Sequence, residues 1–254
     1  MTWQIPTESL LALLLATMRT SAWLIICPPF NNRAIPARVK ALLAVGLSLP
    51  MMPRLAGQVP DLGVADMVTA TAEQVAIGVA LGFLTALFFA AVQAAGDLID
   101  LFGGFSLASA FDPLSNTQSS IFGRFYNLTA VTLLFVTDGH QLVVRGFLQS
   151  FKSLPLDGAL SLRNLDHLLT NGLGEMFVAA LQIAGPLIAV LFLTDIGLGL
   201  LSRVAPALNA FALGFPVKIF ITLSLAGTAL VVLPGALDSL VDKAVRAVVT
   251  VSGG

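Results

Sequence analysis

Residues Gln74–Gly96 read QVAIGVALGFLTALFFAAVQAAG and carry no charged side chain. Crossing the hydrocarbon of a bilayer takes about 20 predominantly apolar residues in a helix, and this stretch meets that length. Working outward, two further charge-free runs pass the same test, Met176–Thr194 and Ile219–Leu237. Three others are apolar but compromised. Ser9–Phe30 carries Arg19 at its middle, Ala41–Met52 is bounded by charge and proline, and Phe125–Thr137 runs into Asp138 and His140. The chain of 254 residues is 57% apolar and 11% charged, with a mean hydropathy of +0.92. A soluble domain has about 25% charged residues, so the composition predicts an all-α integral membrane protein, since long apolar runs satisfy their backbone most simply as helices.

Composition also excludes several function classes. With 13 basic and 14 acidic residues the net charge is −1, which provides no basic field for nucleic acid. Cys27 is the single cysteine, so neither an intramolecular disulfide framework nor a cysteine-based metal cluster is expected. His140 and His167 stand too far apart to form a ligand pair by spacing. Phosphate-loop, nucleophile-elbow, zinc-protease and dinucleotide motifs are missing. Asp138-Gly139-His140 resembles an acid/base pair only superficially, because it has no accompanying nucleophile. A role for Gly139 in close packing and for His140 in a single hydrogen bond near a helix end is the better reading. The expectation is a chain without enzymatic activity, cofactor or metal.

The first apolar run is marginal as an isolated span. Eight Leu or Ile residues between Leu10 and Ile26 contribute about −0.3 to −0.6 kcal/mol each, and a central arginine costs about +2.5 to +3.5 kcal/mol. The sum is near zero, so Arg19 should face protein or a wet cavity. No basic segment precedes Leu10 and the chain stays apolar after it, which argues against a secretory signal. Arg33, Arg38 and Lys40 in the Asn31–Lys40 connection, against Asp61, Asp66 and Glu73 in the next one, place the first connection in the cytoplasm and the N-terminus outside.

Gly78/Gly82, Ala90/Ala94 and Ala91/Ala95 have the small-xxx-small spacing that lets membrane helices approach closely. Pro186, Pro206, Pro216 and Pro234 each remove a backbone donor, which predicts kinked and broken helical hairpins. Two connections are polar enough to lie outside hydrocarbon. In 154–175 the residues Leu162, Leu165, Leu168 and Leu169 form a short amphipathic helix that Asn171-Gly172 is expected to stop. The C-terminal 238–254 region places Leu240, Val241, Ala244, Val245 and Val248 opposite Asp238, Asp242, Lys243 and Arg246, again amphipathic.

The stretch unlike membrane packing is 103–120, GGFSLASAFDPLSNTQSS. Gly103-Gly104 breaks the preceding helix, Asp112-Pro113 forces an extended or turn geometry, and Ser115–Ser120 offers small polar side chains. A loop this long is either functional or disordered. Phe105, Leu107, Phe111 and Leu114 would leave apolar surface in water, which argues for a place against or inside a protein-lined channel.

Ile35-Pro36-Ala37-Arg38-Val39-Lys40, Phe111-Asp112-Pro113 with Ser115 and Gln118, Asp138-Gly139-His140 with Arg145, and Ala205-Pro206-Ala207-Leu208-Asn209-Ala210-Phe211-Ala212-Leu213-Gly214-Phe215-Pro216-Val217-Lys218 together resemble the FliR family. That family supplies a subunit of the flagellar type III export gate, with a counterpart in virulence injectisomes. The resemblance runs in order along nearly the whole chain, as one export-gate domain over 1–254. It implies about six hydrophobic segments, bent within a helical pore complex, together with FliP-like and FliQ-like subunits and beside FlhB-like and FlhA-like components of the bacterial inner membrane. Unfolded flagellar proteins would be the cargo, and membrane lipid would surround the assembly. The family's pore plug maps onto Gly103, Gly104, Phe105, Ser106, Leu107, Phe111, Asp112, Pro113, Ser115 and Asn116. Pro36, Arg38, Gly139, His140, Asn209, Gly214, Pro216 and Lys218 fall to assembly and packing. Arg33-Ala-Ile-Pro-Ala and Arg203-Val-Ala-Pro-Ala form a short internal echo. The competing readings are an injectisome subunit, a small-solute transporter, which would need a charge at mid-span, and a lipid enzyme, which would need a clustered polar triad.

Overall fold

A computed structural model describes residues 6–59, 63–106, 120–156, 162–206 and 212–228, and the single positions 231, 233 and 235. Among the described residues the regular structure is entirely helical. Helix α1 spans Thr7–Ile26, α2 Ala37–Ser48, α3 Met52–Leu55, α4 Val64–Gly103, α5 Ile121–Val136, α6 Gly139–Ser153 and α7 Leu162–Val204; α8 spans Ala212–Thr228. Single 3₁₀ turns flank α3. Four helical stretches are long and apolar enough to cross a membrane: Thr7–Ile26, Ala37–Gln58, Val64–Gly103 and Leu169–Val204.

Several sequence expectations are corrected here. The N-terminal run is long and apolar enough to cross a membrane, and Arg19 faces protein as expected, fully buried. Ala41–Met52 extends into a helical stretch because Pro50 and Pro53 occupy the first positions of new helical turns, where a missing N–H costs nothing. Asn171-Gly172 does not stop a short helix, and α7 runs unbroken through it from Leu162. Pro186 lies inside α7, and Pro216 inside α8. Before Pro206 a helix ends, at Val204, as the clash of a proline ring with a helical preceding residue requires. Asp138 holds φ 58 and ψ 14, a left-handed conformation that Asp tolerates better than most residues, and so α5 and α6 are separate helices. Apart from positions 231, 233 and 235, the part of Ile219–Leu237 after Thr228 and the amphipathic 238–254 region lie outside the described residues.

The chain divides into two compact units, one of Met1–Leu87, Asp138–Leu173 and Val241–Gly254, the other of Phe88–Thr137 and Gly174–Leu240. In the first, the glycines of the opening stretch set the distance between α1 and α4. A Cβ on Gly78 would strike the carbonyl oxygen of Arg19 and the Cβ of Ala22, and one on Gly82 would lie 3.0 Å from the Cβ of Ile26. Trp23 of α1 then stacks on Phe147 of α6 at 4.3 Å. Gly172 has the same use, its absent Cβ lying 3.0 Å from Leu87 and 3.1 Å from Leu84. In the second unit, Ala91 of α4 packs with Ala179 of α7, flanked by Phe88 and Met176. Gly96 would place a Cβ 2.5 Å from backbone atoms of Phe122 and Gly123, so α4 and α5 approach closely there.

Candidate functional site: the base of the 103–120 segment

The second unit brings both ends of the 103–120 segment together. At the leading end, Gly103 and Gly104 are buried. Gly104 takes φ 84, a region open to glycine at little cost, and this is where α4 stops. At the trailing end, Ser120 is the N-cap of α5, its Oγ accepting from the N–H of Gly123 at 2.7 Å. Cap side chains of this kind satisfy one of the amide donors a helix N-terminus leaves open.

The two ends are joined by α4 itself. Asp100, one turn before Gly103, is buried and accepts from the N–H of Phe122 with both carboxylate oxygens, at 3.3 and 3.2 Å. Ser120 and the N–H of Ile121 also bond to Asp100, and Asp97 lies against Gly123, where a Cβ would meet its Oδ1. A carboxylate at a helix N-terminus meets both the open donors and the positive end of the helix dipole. Phe105 completes the junction with an edge contact to Phe122 at 5.3 Å between ring centres.

Helix α8 closes the base from another side. The ring of Phe215 reaches within 3.4 Å of where a Gly104 Cβ would stand, and the hydroxyl of the buried Thr222 within 2.7 Å of a Gly103 Cβ. Gly214 would set a Cβ 3.3 Å from Leu198 of α7, and Lys218 pairs with Asp195 of α7 at 2.6 Å. The hydroxyl of Tyr126 donates to the carbonyl of Ala226 at 3.2 Å. Gly214 and Lys218, expected in packing, thus meet α7, while Phe215 and Thr222 of the same helix meet Gly104 and Gly103. Ser106 and Pro216 are exposed. Leu107, Phe111, Asp112, Pro113, Ser115, Asn116 and Asn209 lie outside the described residues. Asp97, Asp100, Ser120, Asp195, Phe215 and Thr222 were missed as site residues; of these only Ser120, a serine directly before an apolar run, had a local signal.

The remaining candidates fall in the first unit. The carbonyl of Pro36 accepts from the amides of Val39 and Lys40 at 3.0 and 3.2 Å and so opens α2, with Arg38 exposed in its first turn. Gly139 is buried and His140 half-buried at the start of α6. The same unit holds Arg19. Its Nε donates to Gln74 Oε1 at 2.7 Å and its terminal nitrogens to the carbonyls of Ser150 and Leu154 at 3.4 and 2.8 Å. The guanidinium carbon lies 4.4 Å from the centre of the Phe151 ring. Gln74 in turn donates to the carbonyl of Leu156 at 3.2 Å.

Among the described residues no cluster of His, Cys, Asp and Glu could hold a metal ion. Apolar helices of spanning length, packed through small residues and buried polar contacts, define a class: an all-α membrane protein. The chain matches the model for bacterial export proteins, family 1, over residues 10–244. It is 34% identical over 218 residues to the flagellar biosynthetic protein FliR of Pectobacterium carotovorum subsp. carotovorum, covering 85% of this chain and 83% of that protein. Similarity of the same degree, 34% over 209 residues and 82% and 80% of the two chains, links it to FliR of Escherichia coli strain K12. FliR of Bacillus subtilis strain 168 is 31% identical over 215 residues, 83% of each chain. The chain belongs to the FliR family of bacterial export proteins.

Proposed function

We propose that this chain is the FliR-type subunit of a flagellar type III export gate, and that 103–120 obstructs the gate's pore at rest. Family membership makes it a membrane-embedded component of a bacterial protein-export apparatus. The finer reading adds FliP-like and FliQ-like subunits as pore partners, FlhB-like and FlhA-like components beside them, the bacterial inner membrane as location, and unfolded flagellar proteins as cargo. The flagellar system is preferred to the injectisome because relatives 31–34% identical to this chain are flagellar proteins.

The observation that carries the plug reading is the clamped base. Asp100, Ser120, Phe122 and Phe105 hold the two described ends of the segment in contact, which supports a segment anchored at both ends. A pore that passes many unfolded sequences needs low specificity and still has to retain ions. An obstruction of small polar and a few apolar side chains suits both, since displacing a partly buried apolar side chain costs only about 1–3 kcal/mol. Catalysis is not required of such a part, and its role is structural.

Deletion of 106–119 in the assembled complex is the test. The expected result is a resting ion conductance well above that of the unaltered complex, measured in planar bilayers, with the partner subunits still recovered on purification. Unchanged conductance in a complete complex would overturn the plug assignment. Recovery of the chain as a stable monomer without partners would favour the small-solute transporter.

A further inference from the structure

Between Glu8 and Asp61 the chain has no acidic side chain. Apart from the buried Arg19, the cations of that stretch are Arg33, Arg38, Lys40 and Arg54, and the first three fall together where the chain passes from α1 to α2. This connection joins two stretches long and apolar enough to cross a membrane, Thr7–Ile26 and Ala37–Gln58. It is folded on itself. The N–H of Asn31 donates to the carbonyl of Cys27 at 3.0 Å, that of Ile35 to the carbonyl of Asn32 at 3.1 Å, and that of Ala34 to the Asn32 side chain at 2.9 Å. Arg33 and Arg38 are exposed on it and Lys40 is half-buried.

Among the described residues none of these three cations pairs with a carboxylate. Arg38 and Lys40 also stand in the first turn of α2, which holds no acid. That is the positive end of the helix dipole, where a cation is disfavoured. The fold therefore concentrates positive charge that its own described groups leave unneutralised.

The faces of the following helix say what lies against it. Ala44, Ser48 and Leu55 are buried, and Ser48 Oγ stands 2.9 Å from Thr20 Oγ1 of α1. Leu42, Val45 and Leu49 are exposed. They continue from Arg38 at spacings of four, three and four, so a single exposed stripe begins in a cation and runs on in apolar side chains. Helical side chains lean towards the N-terminus, which carries Arg38 back towards the connection. Charge at the end and hydrocarbon along the length is the complement of a phospholipid, and basic residues flanking a membrane helix are where anionic headgroups collect.

We propose that Arg33, Arg38 and Lys40 bind the phosphate of anionic phospholipids, whose acyl chains lie along Leu42, Val45 and Leu49, so that the α1–α2 connection anchors the chain in an anionic leaflet. This requires only that the chain is a membrane protein, and it stands apart from the plug reading.

The experiment titrates the full chain in the assembled complex, in a neutral detergent, with phosphatidylglycerol or phosphatidylcholine and counts bound lipid by native mass spectrometry. Phosphatidylglycerol should bind in preference. Arg33→Gln, Arg38→Gln and Lys40→Gln should each weaken it about fivefold, the worth of one cation near an anionic surface, and leave phosphatidylcholine unchanged. The triple variant should lose the preference, and Arg33→Lys/Arg38→Lys, which keeps the charge, should retain it. Arg145→Gln, which removes an exposed cation from α6, should have no effect. No preference in the unaltered chain, a preference that survives the triple variant, an equal loss in Arg145→Gln, or displacement of the lipid by inorganic phosphate would each overturn the site. Loss of partner subunits from the triple variant with its lipid preference intact would make the patch a subunit contact and overturn the proposal as well.

Discussion

Arg19 in the first unit and Lys218 in the second are both cations among apolar helices, and they are held in opposite ways. Arg19 is fully buried, and its described hydrogen-bond partners are an amide and two carbonyls at the C-terminal end of α6, with the ring of Phe151 on its face. The negative end of a helix dipole and the fork of a guanidinium suit each other without a carboxylate. Lys218 has a carboxylate partner, and that partner is 44% exposed. The first arrangement binds three helices by a network in which each acceptor depends on the same cation. The second is a separable two-body contact, which can be broken without emptying a core. Burial without a counter-charge thus marks a structural keystone, and a half-exposed ion pair marks a joint.

The largest test of that difference is Arg19→Leu. It leaves the Gln74 amide oxygen and the carbonyls of Ser150 and Leu154 without their donor in a buried site, and breaking a buried polar network costs about 3–5 kcal/mol. Thermal unfolding in detergent should show the loss, and Arg19→Lys should recover only part of it because a point ammonium lacks the fork and the stacking plane. Wild-type stability in Arg19→Leu would break the comparison at its stronger side. Next in size is Gly78→Ala. Its Cβ would meet the Arg19 carbonyl, which is backbone and cannot rotate away, so an overpacking cost of about 1–3 kcal/mol is expected in the same assay. Asp100→Ala comes third. It removes the carboxylate from the α5 N-terminus while the Ser120 cap remains, for a loss of about 1 kcal/mol, visible as faster amide exchange at Ile121 and Phe122.

How much of this was legible in sequence depends on the range of the interaction. The Gln74–Gly96 helix needed only a run without charge, and the glycines Gly78 and Gly82 announced close approach by their spacing. Arg19 could be read as needing protein around it, but its acceptors lie in α4 and at the end of α6, and no local pattern points to them. Asn171-Gly172 looked like a helix stop because Gly at a C-terminus relieves a left-handed turn. Here Gly172 is used instead for contact with Leu84 and Leu87, and the helix has no reason to end. Asp100 lies just beyond the charge-free run and accepts from the amide of Phe122 in a helix that begins well after it in the chain. A long-range cap has no signature beyond the Ser120 that accompanies it. The 103–120 segment stood out by composition. That its two glycines sit under Phe215 and Thr222 could not be read from either stretch alone.

The smallest expected effect on stability belongs to the ion pair, and it sharpens the comparison most. Asp195→Asn removes one charge from a contact whose carboxylate is 44% exposed. Water or detergent headgroups can solvate the remaining ammonium of Lys218, so the loss in the isolated chain should be about 1 kcal/mol or less, as for other half-exposed pairs. The residual amide still accepts from Lys218, which softens the change further. Thermal unfolding of Asp195→Asn should therefore lie close to the unaltered chain and far above Arg19→Leu. A loss equal to that of Arg19→Leu would make the pair a second keystone. Near-wild-type stability is what a separable contact produces and a keystone cannot.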